Sequence, residues 1–233
     1  MSDLLVIGSG GIGRALLSLS AMRYPDQRQF STARQPQQSS QLALDLLNPA
    51  DFSDIVDRLK SDSFKPSRII FAQGLLHRDG QRPEKSLREL DVAWMSEVMQ
   101  VNAIAPIQFL AQLMPLVPRD AAVQIAFISA RVGSIEDNQL GGWYGYRASK
   151  AALNMLIKTA SVELVRTHPK AQLLALHPGT TDTALSKPFQ ARVPEGKLFS
   201  PEFVANKLLD LLDQQRGGKS GQFLAWDGST IPW

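Results

Sequence analysis

The sequence has no cysteine, only three histidines, and no apolar run that approaches the length of a membrane span. Without cysteine there are no disulfides, no thiolate catalysis and no sulfur-ligated metal sites. The histidines, His77, His168 and His177, are scattered and form no ligand cluster, so metal catalysis is not predicted. The chain runs from Ser2 and Asp3 directly into apolar residues without a basic leader, which predicts a soluble, cytoplasmic protein with no membrane partner.

Charge is nearly balanced, with 25 basic and 22 acidic residues and a net charge of +3. No block of five or more like charges is present, so nucleic acid is not a predicted partner. The 233 residues, of which 44% are hydrophobic, can bury one substantial core. No linker or repeat divides them. We therefore expect one domain that spans residues 1–233.

Short apolar runs alternate with longer segments of helical periodicity, a pattern that predicts parallel strands joined by crossover helices. The predicted strands are Leu4 to Ile7, Gln29 to Ala33, Leu42 to Leu44, Arg68 to Ala72, Val123 to Ser129, Leu173 to His177 and Gln222 to Trp226. The predicted helices are Gly13 to Arg23, Ala50 to Asp62, Val92 to Leu116, Tyr146 to Thr167 and Pro201 to Gln215. The fold class is thus α/β: a doubly wound Rossmann-type domain whose parallel sheet, of about seven strands, has helices on both faces.

A glycine-rich turn follows the first strand and satisfies the spacing G-x-G-x-x-G before opening into a helix. Such a turn lets backbone approach a pyrophosphate, which the helix N-terminus stabilises through its N–H groups and dipole. A ligand-free strand-to-helix turn is the alternative. The residues of the predicted dinucleotide turn are Gly8, Ser9, Gly10, Gly11, Ile12 and Gly13.

Two further residues bear on the predicted nucleotide site. An NAD-selective site carries an acidic residue about 20 residues beyond the last glycine. This chain has Arg34 after its second strand, and a guanidinium there can pair with a 2′-phosphate, so NADP is favoured while NAD stays possible. Asp45, after the third apolar run, can accept from the adenine amino group or merely cap the following turn.

Tyr146 and Lys150 stand four residues apart at the start of a predicted helix. That spacing places both side chains on one helix face, where an ammonium can lower the pKa of a phenol from its reference of about 10. The other reading is a half-buried aromatic beside a solvated lysine. Tyr24 and Tyr144 lack a lysine at this spacing.

Five further motifs accompany the glycine turn along the chain. In order they are Phe71-Ala72-Gln73-Gly74, Val101-Asn102-Ala103, Ile128-Ser129-Ala130-Arg131-Val132-Gly133-Ser134, the Tyr146 and Lys150 pair, and His177-Pro178-Gly179-Thr180-Thr181-Asp182-Thr183. Because these motifs occur in the same order as in the short-chain dehydrogenase/reductase family, the chain resembles that family over nearly its whole length. The segments Leu75 to His77, Gly141 to Arg147 and Gly221 to Trp233 are most similar to the C-factor-like and small carbonyl reductase branch.

The resemblance implies roles for these residues. Tyr146 would donate a proton to a substrate carbonyl, and Lys150 would hold the ribose and lower the Tyr146 pKa. Asn102, expected inside a helix, would position a water that links Lys150 to solvent, or would only kink the helix by pairing with backbone. Thr183 would bond the nicotinamide carboxamide. The remaining residues implied at the cofactor are Ala72, Gln73, Gly74, Pro178, Gly179 and Thr181.

Two departures from the family pattern stand out. The catalytic serine commonly lies three residues before the glycine, where this chain has Ala130. Ser129 is our first choice for that role if a bulge turns its side chain, and Ser134 is the second. The glycine turn is also one residue shorter than usual, and Gln73 replaces an asparagine.

We therefore expect an NADPH-dependent oxidoreductase that reduces an aldehyde or ketone. A mobile lid over about residues 184–199 would cover the substrate, and Trp143, Phe189 and Phe199 suggest an apolar substrate end, or simply packing. Long apolar helices suggest a homodimer or homotetramer, although burial on the sheet gives the same pattern. The alternatives are a nucleotide-binding regulator of C-factor type and an isomerase or dehydratase.

Overall fold

The computed structural model describes residues 2–38 and 40–233 and shows a seven-stranded parallel sheet. Its strands are β1 (Asp3–Ile7), β2 (Arg28–Ala33), β3 (Gln41–Ala43), β4 (Pro66–Phe71), β5 (Gln124–Ile128), β6 (Gln172–His177) and β9 (Gln222–Ala225). They lie in the spatial order β3-β2-β1-β4-β5-β6-β9, so the chain winds outward from β1 in both directions. The predicted fold class and all seven predicted strands are confirmed, with ends shifted by one or two residues.

Helices cover both faces of the sheet. They are α1 (Gly11–Arg23), α2 (Ala50–Ser61), α3 (Val92–Met99), α4 (Ala105–Leu113), α5 (Tyr144–Thr167) and α6 (Pro201–Gln214). Leu5 and Ile7 of β1 face a core shared with α2, α4 and α5, whereas Leu4 and Val6 face a core shared with α1 and α6. Successive residues of a strand point to opposite faces of the sheet. Because helices bury both faces, both sets of residues are apolar and each strand appears in the sequence as a continuous apolar run.

The segment predicted as a helix, Val92 to Leu116, is helical throughout, but its helix type changes along its length. A π-helical turn, Gln100–Ile104, separates α3 from α4, and a 3-10 turn, Met114–Leu116, follows α4. The inserted turn coincides with Asn102, whose side chain bonds to backbone outside the helix. A polar side chain that leaves the helical ladder in this way is a known cause of such bulges.

A second, two-stranded sheet was not predicted. It consists of β7 (Thr180–Thr181) and β8 (Leu198–Phe199), and it joins the two ends of the segment expected to be a lid. Two-residue strands carry too little alternation to be read from a sequence. In the described part of the chain no helix is long and apolar enough to cross a membrane.

Candidate active site

The glycine turn lies at the carboxyl end of β1, next to β4, where the strand order changes direction. Gly8 has a φ of +106°, and its N–H donates to Thr32 Oγ1 at 3.0 Å. A side chain on Gly13 would begin 2.0 Å from the Gly8 carbonyl oxygen, so only glycine lets α1 start this close to β1. This is the crevice in which doubly wound folds bind nucleotides.

The start of α1 fits a pyrophosphate. The N-cap, Gly10, offers no side-chain acceptor, and the first turn contains no acidic residue. Nothing lies within 4 Å of where a Gly10 Cβ would stand, so the backbone of the turn is open on that side. The N–H groups of the first helical turn lack intrahelical partners, and together with the helix dipole they favour an anion.

The other two residues predicted at the nucleotide, Arg34 and Asp45, follow β2 and β3, the two strands on one side of β1. Arg34 directly follows β2 and is exposed. Asp45 follows β3, and its Oδ1 accepts from the Leu47 N–H at 3.0 Å. Asp45 therefore does cap the following turn, which is one of the two roles predicted for it. Arg14, a second cation near the turn, donates to the Ser9 carbonyl at 3.1 Å.

The segment Ala72 to Gly74 after β4 forms the opposite wall of the crevice. A Cβ on Gly8 would stand 3.0 Å from the Gln73 nitrogen, and the Gln73 Oε1 is buried without a hydrogen-bond partner among the described residues. Such an unpaired buried acceptor is uncommon in folded proteins and fits a site that binds a polar ligand. The residues present thus fit a dinucleotide.

Asn102 holds this wall in place. Its Oδ1 accepts from the Leu75 N–H at 2.7 Å, and its Nδ2 donates to the Leu75 carbonyl at 2.8 Å and to Ser149 Oγ at 3.1 Å. Asn102 Oδ1 and Lys150 Nζ each lie 3.8 Å from where a Gly74 Cβ would stand. The π turn therefore brings Asn102 next to both the cofactor wall and Lys150.

Tyr146 and Lys150 are both buried on one face of α5, with relative exposures of 7% and 3%. Lys150 Nζ lies 5.9 Å from the centre of the Tyr146 ring and donates to the Ile128 carbonyl at 2.9 Å. Burial lowers the pKa of Lys150 to about 8. The predicted lowering of the Tyr146 pKa is wrong for this structure, because burial raises that pKa instead.

The structure does not place Ser129 beside Tyr146. The Ser129 hydroxyl is buried and donates to Asn154 Oδ1 at 2.6 Å, two helical turns beyond Tyr146. Ala130 instead packs in the apolar cluster that contains Tyr146. The serine predictions are therefore corrected: β5 ends at Ile128 with no bulge that reverses the side-chain directions, and alternation sends Ser129 inward.

Ser134, the second choice, has a different role. Its hydroxyl lies 3.4 Å from the Trp233 carbonyl and accepts from the Asp137 N–H at 3.1 Å. It ties the loop between β5 and α5 to the C-terminal residues.

The start of α5 is organised by a residue that the sequence did not indicate. Glu84 is 2% exposed, and its Oε2 accepts from the Gly145 N–H at 3.0 Å. Its backbone carbonyl accepts from the Trp143 N–H. The segment Gly141 to Tyr144 contains no Ser, Thr, Asp or Asn, whose side chains usually cap a helix N-terminus, and that absence is the signal that a side-chain cap must come from elsewhere.

The segment that follows β6 packs against the start of α1. The Thr183 methyl packs against Gly11, since a Cβ there would lie 2.7 Å from it. The Pro178-Gly179 turn needs glycine, with a φ of +76° and the Phe199 ring 2.8 Å from the position of a Cβ. The Thr181 hydroxyl lies 3.5 Å from the Gly179 carbonyl. Phe199 belongs to a separate aromatic group with Phe203 and Trp226, so of the two roles predicted for it the structure shows packing.

The family described as short chain dehydrogenase matches residues 4–193 of this chain. The chain belongs to the short-chain dehydrogenase/reductase family. The family resemblance predicted from the ordered motifs is confirmed, and with it the general class of oxidoreductase.

Three proteins similar to this short-chain dehydrogenase carry different descriptions. C-signal of Myxococcus xanthus is 31% identical over 149 residues, which cover 64% of this chain and 84% of that protein. A short-chain dehydrogenase/reductase from Burkholderia multivorans, solved with bound NADP, superposes with a TM-score of 0.83 at 24% identity over 100% of this chain and 99% of its own. The NADPH-bound carbonyl reductase from chicken fatty liver gives a TM-score of 0.83 at 24% identity, over 100% and 94% of the two chains.

Proposed function

We propose that this short-chain dehydrogenase/reductase reduces an aldehyde or ketone to an alcohol with NADPH. The observation that supports this most is the burial of Tyr146 and Lys150 on one face of α5, beside a glycine turn built for a pyrophosphate. A phenol and an ammonium together at a nucleotide crevice supply a proton donor and a group that binds ribose hydroxyls.

In this proposed reaction Tyr146 is the proton donor. Tyr146 donates its hydroxyl proton to the carbonyl oxygen of the substrate, which becomes the alcohol oxygen. A nicotinamide bound in the crevice would supply the hydride for the carbonyl carbon. The raised pKa of Tyr146 keeps the phenol protonated before the reaction, as a proton donor requires.

Proton resupply is assigned to Lys150 and Asn102. A water between their polar atoms, which flank Gly74, would connect Lys150 to solvent. Because the Lys150 pKa is lowered to about 8, the ammonium can give up and regain its proton near neutral pH.

Several observations support NADPH. Arg34 follows β2 at the position where a guanidinium would meet a 2′-phosphate. The two structural neighbours described above hold NADP and NADPH in their own sites. Asp45 would accept a hydrogen bond from the adenine amino group, and Thr183 would form a hydrogen bond with the nicotinamide carboxamide.

NAD is a weaker alternative cofactor. An Arg34→Ala variant should therefore lose affinity for NADPH but not for NADH.

The segment over residues 184–199 would serve as a substrate lid. Leu185 and Phe189 pack against the cluster that contains Tyr146. A Michaelis complex therefore requires this segment to move. Its two ends are fastened by β7 and β8, so the hinges would lie next to that small sheet.

A nucleotide-binding regulator with little catalysis is the second candidate. Ala130 in the place of the usual serine and the similarity to C-signal favour it. The intact Tyr146 and Lys150 pair favours the reductase. A homodimer or homotetramer and a cytoplasmic location stay predictions.

Turnover with a matched pair of tyrosine variants distinguishes the two candidates. NADPH oxidation would be followed against a panel of aldehydes, ketones and quinones. Tyr146→Phe should abolish turnover while leaving NADPH binding intact, whereas Tyr144→Phe, at the first position of the same helix, should leave both unchanged. NADPH binding without turnover on any compound would support the regulator instead.

A further inference from the structure

We propose that the indole of Trp143 is the binding surface for an aryl group of the substrate, and that Phe189 of the lid occupies this surface when the site is closed. The inference rests on the proposed carbonyl reductase function and names its substrate class: uncharged aromatic aldehydes and aryl ketones. Two observations carry it: the backbone of Trp143 and the geometry of the aromatic rings.

Trp143 has an unusual backbone. Its φ of 53° and ψ of 44° lie in the left-handed region, directly after Gly141 and Gly142 with φ values of 63° and 66°. Glycine adopts this region readily, but a bulky residue rarely does. Strained non-glycine residues concentrate at ligand sites, where the surrounding structure enforces them.

The surroundings do enforce the conformation. The Glu84 carbonyl accepts from the Trp143 N–H. The guanidinium of Arg147 donates through Nε to the carbonyls of Gly141 and Gly142 at 3.2 and 3.0 Å. Three backbone groups of the turn are therefore fixed from neighbouring elements, and the indole is directed onto Tyr146, with ring centres 6.2 Å apart at 75°.

Phe189 already makes the contact that a substrate ring would make. Its ring lies 5.0 Å from the Trp143 ring at 62°, an edge-to-face arrangement that aromatic pairs prefer. His77 contacts the other side of Phe189 at 5.6 Å, and its Nε2 lies 3.1 Å from the Ala184 carbonyl at the start of the lid. At 5.0 Å no third ring fits between Phe189 and Trp143, so an aryl substrate must displace Phe189.

The charge near this surface disfavours an anionic substrate. The Lys150 ammonium donates to the Ile128 carbonyl, and the Arg147 guanidinium is engaged by the glycine carbonyls. Glu84, by contrast, places a buried carboxyl next to Gly145. A carboxylate on the substrate ring would lose its hydration here without gaining a ready cationic partner.

The test compares matched compounds in the holoenzyme. Kinetic constants would be measured with NADPH for benzaldehyde, cyclohexanecarbaldehyde and 4-carboxybenzaldehyde. Binding of the unreactive pair benzamide and cyclohexanecarboxamide would be measured by calorimetry in the presence of NADP⁺. The variants are Trp143→Leu, Phe189→Ala and Phe189→Leu, with Phe203→Ala as the control from the separate aromatic group.

We expect wild type to prefer the aryl member of each pair by between about 3- and 10-fold, the contribution of one aromatic contact, and to reject the carboxylate. Trp143→Leu should abolish the preference. Both Phe189 variants should bind benzamide more tightly, because the competing ring is gone. Phe203→Ala should behave as wild type.

Three results would overturn the inference. The first is equal affinity of wild type for the aryl and cyclohexyl compounds, and the second is an unchanged preference in Trp143→Leu. The third is weaker benzamide binding in both Phe189 variants, which would make Phe189 a wall of the site and not a competitor. Reduction of aldehydes without aryl preference leaves the reductase proposal standing, whereas selective benzamide binding without any turnover contradicts that proposal alone.

Discussion

At the scale of single residues, Ala130 is the clearest departure from the family pattern. Its methyl group packs in the cluster around Tyr146, where a serine hydroxyl would give a carbonyl oxygen a second hydrogen bond. We predict that Ala130→Ser raises kcat for benzaldehyde roughly tenfold. This gain is smaller than the contribution of a native hydrogen-bond donor to an oxyanion, because the surrounding side chains do not orient the new hydroxyl. Steady-state kinetics at saturating NADPH would measure the change.

Ser129→Ala is the matched control. It removes the hydrogen bond to Asn154 and should cost about 1 kcal/mol of stability, yet leave kcat within about twofold of wild type. A collapse of kcat in Ser129→Ala with an unaltered melting temperature would restore Ser129 as the catalytic serine and contradict our correction.

The lowered pKa of Lys150 leads us to predict an unusual dependence of stability on pH. Its pKa falls from 10.5 to about 8 on folding, so the unfolded chain holds more protons between those values. Below pH 8 the folded protein bears the cost of a buried ammonium, and stability should rise by at most about 3 kcal/mol as pH increases from about 8 to 10.5. The raised pKa of Tyr146 reverses this trend above its ordinary value of 10.

Urea unfolding at pH 7.5 and pH 9.5, without cofactor, measures the effect. Lys150→Met keeps the buried volume but has no titrating group, so it should be more stable than wild type at pH 7.5 and lose the rise. Identical pH slopes in both proteins would show that the ammonium is not desolvated.

At the scale of elements, the π turn between α3 and α4 connects folding to the cofactor wall. Asn102→Ala leaves the N–H and carbonyl of Leu75 without their side-chain partner, and we predict a loss of about 2–4 kcal/mol and a higher KM for NADPH. Ser149→Ala removes a single bond to Asn102 and should cost about 1 kcal/mol with an unchanged KM. Denaturation curves and NADPH titrations of both variants test this, and a KM for NADPH unaffected by Asn102→Ala would contradict it.

The elements themselves were predictable where burial produces a regular pattern. β1, β4, β5 and β6 are buried on both faces, so their apolar runs stand out in the sequence. The π turn between α3 and α4 was anticipated only as one of two roles predicted for Asn102, because its backbone partner lies in a loop 27 residues away and cannot be read from the sequence. β7 and β8 are too short for their pairing to be visible before the chain folds.

The same distinction between local patterns and long-range contacts applies to the candidate site. The glycine turn and the Tyr146 and Lys150 pair are local patterns, and the sequence indicates them directly. The direction of Ser129, the cap from Glu84 and the raised Tyr146 pKa depend on side chains brought together from distant segments. Only the sum of burial and charge at a site determines the sign of such a pKa shift.

At the scale of the whole molecule, a polar network fastens the sheet at the end opposite the site. Arg68 of β4 is 2% exposed and donates to Gln124 of β5 at 3.1 Å and to the Tyr24 hydroxyl at 3.1 Å. It also forms an ion pair with Asp213 of α6, and the Tyr24 hydroxyl donates to the same carboxylate. Burial alone would raise the pKa of Asp213, but hydrogen bonds from Tyr24 and Arg68 outweigh it and lower that pKa.

This network should support stability without affecting catalysis. Arg68 lies near the amino end of β4, whereas Ala72 to Gly74 follow the carboxyl end, so no part of the crevice depends directly on the ion pair. Asp213→Leu leaves the buried Arg68 guanidinium without its carboxylate and should lower the free energy of unfolding by about 2 kcal/mol. This loss is smaller than that from breaking a fully buried ion pair, because the Asp213 side chain is 40% exposed. The double variant Arg68→Met, Asp213→Leu removes both charges and should recover at least half of that loss.

Urea unfolding of the two single variants and the double variant gives the coupling, and kcat with the same aldehyde should stay within about twofold in all of them. The exposed pair Arg58 and Asp62 within α2 and its end is the control, since its removal should cost only about 0.3–0.5 kcal/mol. Additive losses at Arg68 and Asp213 would mean that the two charges are held independently. In that case the other partners would hold each charge, Gln124 and the Tyr24 hydroxyl for Arg68 and Arg23 for Asp213.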